Sequence, residues 1–268
     1  DTLAQRDLLE GRELSREEKE QYGSVEQYLE ARIATERGWA RQLTQSGEAE
    51  DPAAALAKVN ARRAALGEHW SRLIREARGV YSGRLGYAAN FDQYADVGFW
   101  HELDVMAMSA YFSLRRSFLD GHEPLERLSP ALEQHWDYHL GQIDAVRRQR
   151  GLGQMPVLFT EMGYLFRAGT TLEPWSHHGF SVIYTEDGDK RVVVWNEQPE
   201  EPRERALAVR ALHAAHGRLE NPLLLGILYW KLSSHAYHKD IEPYLVDVGP
   251  ESEDPILEEL RRFTTPPA

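Results

Sequence analysis

The stretch PVLFTEMGY, residues 156–164, sets a glutamate just past an apolar run. Pro156-Val157-Leu158-Phe159 has the length and composition of a strand covered on both faces. Glu161 comes two residues later, followed by Gly163 and the aromatic Tyr164. A carboxylate there either ends the strand in water or stands where chemistry takes place. Three further stretches share the pattern. LGYAAN (85–90) ends in Asn90, DVMAMSAYF (104–112) delivers Ser109 to Tyr111, and LLLGILYWKLSS (223–234) carries Trp230-Lys231. These runs are apolar throughout rather than alternating, which predicts parallel strands buried on both faces.

Helical patterns lie between the runs. Ser129-Pro130 predicts the start of a helix that carries Leu132, Trp136, Leu140, Ile143 and Val146 and stops at Gly151. RERALAVRALHAAHGRLEN (203–221) is amphipathic, and Asp254-Pro255 opens a short last helix, ILEELRRF. Strand and helix in alternation predict an α/β fold with a parallel sheet. The loop after the third run is long, and its segment SVIYTEDGDKRVVVW predicts a β-hairpin turning at Asp187-Gly188. Residues 1–79 read as helical throughout. Ser15 with Glu18 and Ser24 with Gln27 fit the capping box. The polar stretch TQSGEAEDP (44–52) separates a first helix from a second, marked by Leu56, Val59, Leu66, Trp70, Leu73, Ile74 and Ala77. The tail TTPPA is expected to be unstructured.

Composition narrows the function. The 268 residues carry a net charge of -12, which argues against a nucleic-acid partner. No apolar stretch approaches the length of a membrane span. Cysteine is absent, so there is no disulfide framework and no zinc–thiolate site. The first residue is Asp1 rather than Met, which fits a processed chain or a fragment. Secretion or a periplasmic location is the expectation, with the cytoplasm left open. Seven Trp and twelve Tyr suit a sugar-binding cleft as well as an ordinary core. His177 and His178 are adjacent, so on a strand they point to opposite faces, and His235, His238 and Asp240 lack the tight spacing of a metal site. No metal is expected.

In parallel α/β folds the reactive groups gather at the carboxyl ends of the strands. Here those ends hold Asn90, Ser109 to Tyr111, Glu161, and Trp230 with Lys231. The segments WSRLIREARGVYSGRLGYAANFDQYADVGFWHELDVMAMSAYFSL (70–114), PVLFTEMGY and GILYWKLS (226–233) resemble the carboxyl-terminal half of glycoside hydrolase family 113. EPW (173–175) and WNEQPEEPRERALAVRAL (195–212) fit that family's loop and helix after the seventh strand. The resemblance implies a (β/α)8 TIM barrel of clan A with β-mannanase activity, of which strands five to eight are evident. It divides the chain into a helical segment, 1–79, ending in a barrel helix, and a half-barrel, 80–268, with a hairpin-containing loop at 167–201. It further implies that Glu161 is the nucleophile of a retaining glycosidase. Trp230 would be the aromatic floor under the sugar, with Asn90, Tyr111 and Trp175 lining the cleft. No cofactor is implied; the partner is a polysaccharide or oligosaccharide. A retaining enzyme needs a second carboxyl about 5–5.5 Å from the nucleophile as acid and then base. A tyrosine beside Glu161 would favour its ionised form by hydrogen bonding.

The sequence departs from the family pattern in two places. The clan's acid/base Glu follows an Asn at the end of strand four, and no Asn-Glu pair precedes Trp70. The nearest look-alike is Glu13 in EGREL (10–14), with Arg12 where Asn is expected. The family also carries an acidic residue near the position of Ser109. Four strands alone leave two open edges, so a missing amino-terminal half-barrel or a partner chain is one expectation. A catalytically inactive barrel that binds glycan or scaffolds an assembly is the alternative to an enzyme, and an α/β enzyme with another substrate is a third.

Overall fold

The computed structural model describes residues 45, 47, 51–115, 125–175, 180–184, 191–195, 199–219, 223–234 and 242–264. Two compact units divide the chain, Asp1–Gly83 and Arg84–Ala268. Glu13, both capping pairs, the two histidine motifs, the Asp187-Gly188 turn and the tail after Thr264 lie outside the described residues, while Thr264 itself ends the last helix.

In the first unit, helix α1 spans Pro52–Val80. Asp51 caps it by accepting from the Ala54 amide at 2.9 Å, and Pro52, which has no amide hydrogen to leave orphaned, opens it. Of its predicted apolar stripe Ile74 is buried, while Leu66 and Leu73 are exposed.

The second unit is built from β1 (Gly86–Asn90), β2 (Val105–Ser109), helix α2 (Leu125–Gln149), β3 (Val157–Met162), β4 (Phe180–Tyr184), β5 (Arg191–Trp195), helix α3 (Pro202–Gly217), β6 (Leu224–Tyr229), β7 (Leu232–Ser233), β8 (Val246–Asp247) and helix α4 (Ile256–Thr264). Strands β1, β2, β3 and β6 form one sheet in that order, every pair parallel. The connections through α2 and α3 make this the β/α alternation of a barrel segment. β4 and β5 pair as the predicted antiparallel hairpin, and β7 with β8 forms a short separate ladder.

The core lies between the sheet and α2 and α3. Trp136 of α2 is fully buried, stacks on Phe159 of β3 at 6.0 Å, and donates its indole N–H to the Ala208 carbonyl of α3 at 2.9 Å. The buried face of α3 includes Ala206, Ala208, Ala211 and Ala215, residues small enough for α2 to approach closely. Arg205, fully buried, pairs with Asp254 and donates to the Leu245 carbonyl at 3.1 Å, which ties α3 to the turn before α4.

Several sequence expectations need correction. α2 begins at Leu125 and not at Ser129-Pro130. The buried residue Leu128 extends the stripe of Leu132, Trp136 and Leu140 backwards, and Pro130 sits on the exposed side of the helix, where one lost ladder bond is tolerable. The run at 104–112 is a strand only to Ser109, and the strand expected to end at Trp230-Lys231 ends at Tyr229, with Leu232–Ser233 of the same run pairing separately as β7. The β1–β2 connection is not a helix but two 3-10 turns, Tyr94–Asp96 and Trp100–Glu102. Of the four apolar strands, β1 and β6 are not buried on both faces: Ala88, Leu225 and Leu228 are exposed. Among the described residues they are the edge strands, so their runs of apolar residues outnumber the neighbours that cover them.

Candidate active site

The carboxyl end of the sheet is where its chemistry collects. Register places Asn90, Ser109 and Glu161 side by side on β1, β2 and β3. Around Thr160 the pairing of β3 slips against both neighbours. Met108 and Ser109 oppose Phe159 and Glu161, while Phe159 and Met162 oppose Ile227 and Tyr229. A bulge of this kind re-aims side chains at a strand end, and it falls on the residue before Glu161.

Glu161 is held from both sides. Its carbonyl accepts from the Ala110 amide at 2.6 Å, and the next carbonyl, that of Met162, accepts from the Trp230 amide at 2.8 Å. Its carboxylate accepts a hydrogen bond of 2.6 Å from the Tyr111 hydroxyl, and among the described residues this is the side chain's hydrogen bond. Burial, reinforced by the Glu161 carboxylate, pushes the Tyr111 phenol far above its ordinary range, so it stays a donor at any working pH. Tyr244 packs edge-on against Tyr111 at 6.1 Å, and burial raises its phenol too.

Gly163 explains the turn in this stretch. A side chain there would place its Cβ 2.2 Å from the Trp230 carbonyl oxygen, so only glycine lets β3 and β6 close at this point. The Trp230–Lys231 peptide is cis. Trp230 is 43% exposed, and the Lys231 ammonium lies 5.7 Å from its ring centroid while pairing with Glu242 at 2.9 Å.

Tyr111 and Glu161 are therefore in direct contact, and Trp230 joins the same strand end through its backbone at Met162 and Gly163. Asn90 stands further off, two strands from Glu161 at the same level, or about 10 Å by strand spacing. It is exposed, and its carbonyl accepts from the Gln93 amide at 2.9 Å. Trp175 is 45% exposed and stacks on Phe91 with centroids 5.2 Å and planes 18° apart. Phe91 follows Asn90 directly and carried no signal in the sequence beyond that adjacency. Ser109 occupies the level where an acidic residue was expected, between Asn90 and Glu161. Among the described residues no three metal-ligating side chains cluster, and no helix is long and apolar enough to cross a membrane.

A parallel β/α sheet of four strands with helices between them, its polar and aromatic side chains gathered at the carboxyl end, is a segment of a β/α barrel. The profile of glycoside hydrolase family 113 matches residues 56–190, and the chain belongs to that family. Its fold is shared with a solved structure described as a glycoside hydrolase family 113 β-1,4-mannanase, at 20% identity and a TM-score of 0.50, over 75% of this chain and 52% of that one. The β-mannanase AaManA from Alicyclobacillus acidocaldarius in complex with ManMIm also matches, at 20% identity and a TM-score of 0.47, over 73% of this chain and 49% of that one. The chain thus spans about half the length of these two solved relatives. No curated protein matches.

Proposed function

We propose that this chain supplies the nucleophile side of a retaining glycosidase cleft for β-linked, mannan-like polysaccharide. The observation that carries the reading is the 2.6 Å bond from Tyr111 to Glu161 at the end of β3. Glu161 is the nucleophile: its ionised carboxylate attacks the anomeric carbon, the glycosidic bond breaks, and a glycosyl-enzyme forms that water then hydrolyses. Tyr111 fixes the orientation of the carboxylate. Trp230 is the apolar surface under the sugar at the bond cleaved, and Asn90 and Trp175 line the cleft further out. The acid/base carboxyl, about 5–5.5 Å from the nucleophile in a retaining enzyme, belongs to a segment that completes the cleft, such as an amino-terminal half-barrel or a partner chain.

The test is reducing-sugar release from β-1,4-mannan by the intact protein and by Glu161→Gln. The expected outcome is hydrolysis that falls at least about 10²-fold in the variant. Equal hydrolysis by both proteins sinks the assignment. If neither hydrolyses mannan while the unmutated protein binds it, the chain is the glycan-binding relative instead.

A further inference from the structure

Glu204 lies at the third position of α3, where a glutamate ordinarily folds back to cap the helix. Here Glu201 serves as cap, accepting from the Arg203 amide at 3.3 Å. The Glu204 side chain, 2% exposed, turns the other way. One of its oxygens accepts from the Thr171 hydroxyl at 2.5 Å, the Thr171 amide at 3.1 Å and the Arg115 guanidinium at 2.9 Å. The other accepts from the Gly169 amide at 2.7 Å.

These partners sit on two segments, each carrying a cleft residue. Arg115 lies in the segment after β2, four residues beyond Tyr111. Thr171 lies in the loop after β3 that runs on to Trp175. The segments are also joined directly. The Leu114 amide donates to the Thr171 carbonyl at 2.7 Å, the Ser113 hydroxyl to the Leu172 carbonyl at 2.7 Å, and Arg115 Nε to the Thr171 hydroxyl at 2.9 Å. Tyr244, which packs on Tyr111, donates its hydroxyl to the Pro174 carbonyl, next to Trp175. A buried carboxylate with four donors is expensive to desolvate and strongly directional once satisfied. Hydrogen-bonded to both segments that carry cleft residues, it has the place of a fixed joint.

We propose that Glu204 is a positioning residue: through Thr171 and Arg115 it sets Tyr111 against Glu161 and Trp175 against Phe91. The inference rests on the cleft reading above for its functional meaning, but the geometry has its own readout. Trp175 fluorescence is isolated by subtracting the spectrum of a Trp175→Phe variant in each background. Glu204→Gln removes the charge and one acceptor oxygen. Thr171→Val removes only the hydroxyl bonds, and it decides the matter if the first variant does not fold. The expected result, at retained secondary structure, is a red-shifted and more readily quenched Trp175 signal in both variants. If the protein hydrolyses mannan, kcat falls about 10²-fold with a smaller change in KM, because misplacing a reacting group by about 1 Å has that consequence. A Trp175 signal unchanged in both folded variants overturns the proposal. Absence of mannan hydrolysis in the unmutated protein would instead defeat the glycosidase reading and leave the fluorescence test of Glu204 intact.

Discussion

Tyr111 and Glu161 are fifty positions apart in the chain and 2.6 Å apart at their oxygens. A hydrogen bond to a charged acceptor contributes about 1.5–3 kcal/mol, and here it also selects the carboxylate's orientation. Tyr111→Phe keeps the ring against Tyr244 and removes only that bond. On the proposed mechanism kcat/KM for β-1,4-mannan is expected to fall about ten- to a hundredfold, with the melting temperature little changed. Initial-rate measurements on the variant check this, and a rate equal to the parent's would mean that Glu161 is oriented by something else. Glu161 stood out in the sequence as the carboxylate that follows an apolar run, but a strand end that simply meets water explains such a residue equally well, and its role as nucleophile came from the family resemblance. Its tyrosine was named from the sequence as a cleft residue only through the family resemblance. Phe91, Glu204 and Arg115 were not legible, since a phenylalanine after a strand and a glutamate or arginine beside a helix are ordinary in any α/β chain.

At the scale of elements the join between β3 and β6 is the most exacting feature of the sheet. Gly163 allows the Trp230 carbonyl to lie where a Cβ would be. The obstructing atom belongs to the backbone, so it has no rotamer by which to escape. Gly163→Ala is expected to push the end of β6 away and to destabilise the fold by about 1–3 kcal/mol. It should also displace Trp230 from the level of Glu161. Urea unfolding gives the first quantity, and glycan binding followed by Trp fluorescence gives the second. A variant as stable and as active as the parent would show that the two strands can separate without consequence. The dipeptide Met162-Gly163 carried a readable hint, because glycine at a strand end marks close backbone approach. The bulge at Thr160 did not, because its residues are those of an uninterrupted strand.

Over the whole second unit, stability is tied to pH through His139. Its ring stacks on Phe112 at 4.5 Å and its Nε2–H donates to the Ser113 carbonyl at 2.9 Å. Burial, with a smaller contribution from nearby His135, pulls its pKa down to about 4 from the ordinary 6.5. The unfolded chain therefore takes up a proton before the native one does, and stability present above pH 6.5 is lost as the pH falls towards 4. The total loss is on the order of 3 kcal/mol for this group. His139→Gln keeps a donor for Ser113 without the titration, so its stability is expected to change less across that window. Denaturant unfolding at several pH values decides it, and equal slopes for both proteins would contradict the assignment. Burial lowers the His216 pKa as well, so some slope remains in the variant.

What the sequence determined by itself is the class of fold and the identity of the strand-end carboxylate. Runs of apolar residues alternating with helical periods admit few arrangements other than a parallel β/α sheet, and both signals are local. Strand β2 and helix α2 were readable for that reason, even where their ends were misplaced. Only the tertiary structure decided which strands would be edges, how β3 bulges before Glu161, and that Glu204 would turn from its own helix to hold two loops. Those outcomes depend on contacts between residues far apart in sequence, and no pattern within one segment encodes the partner it will meet.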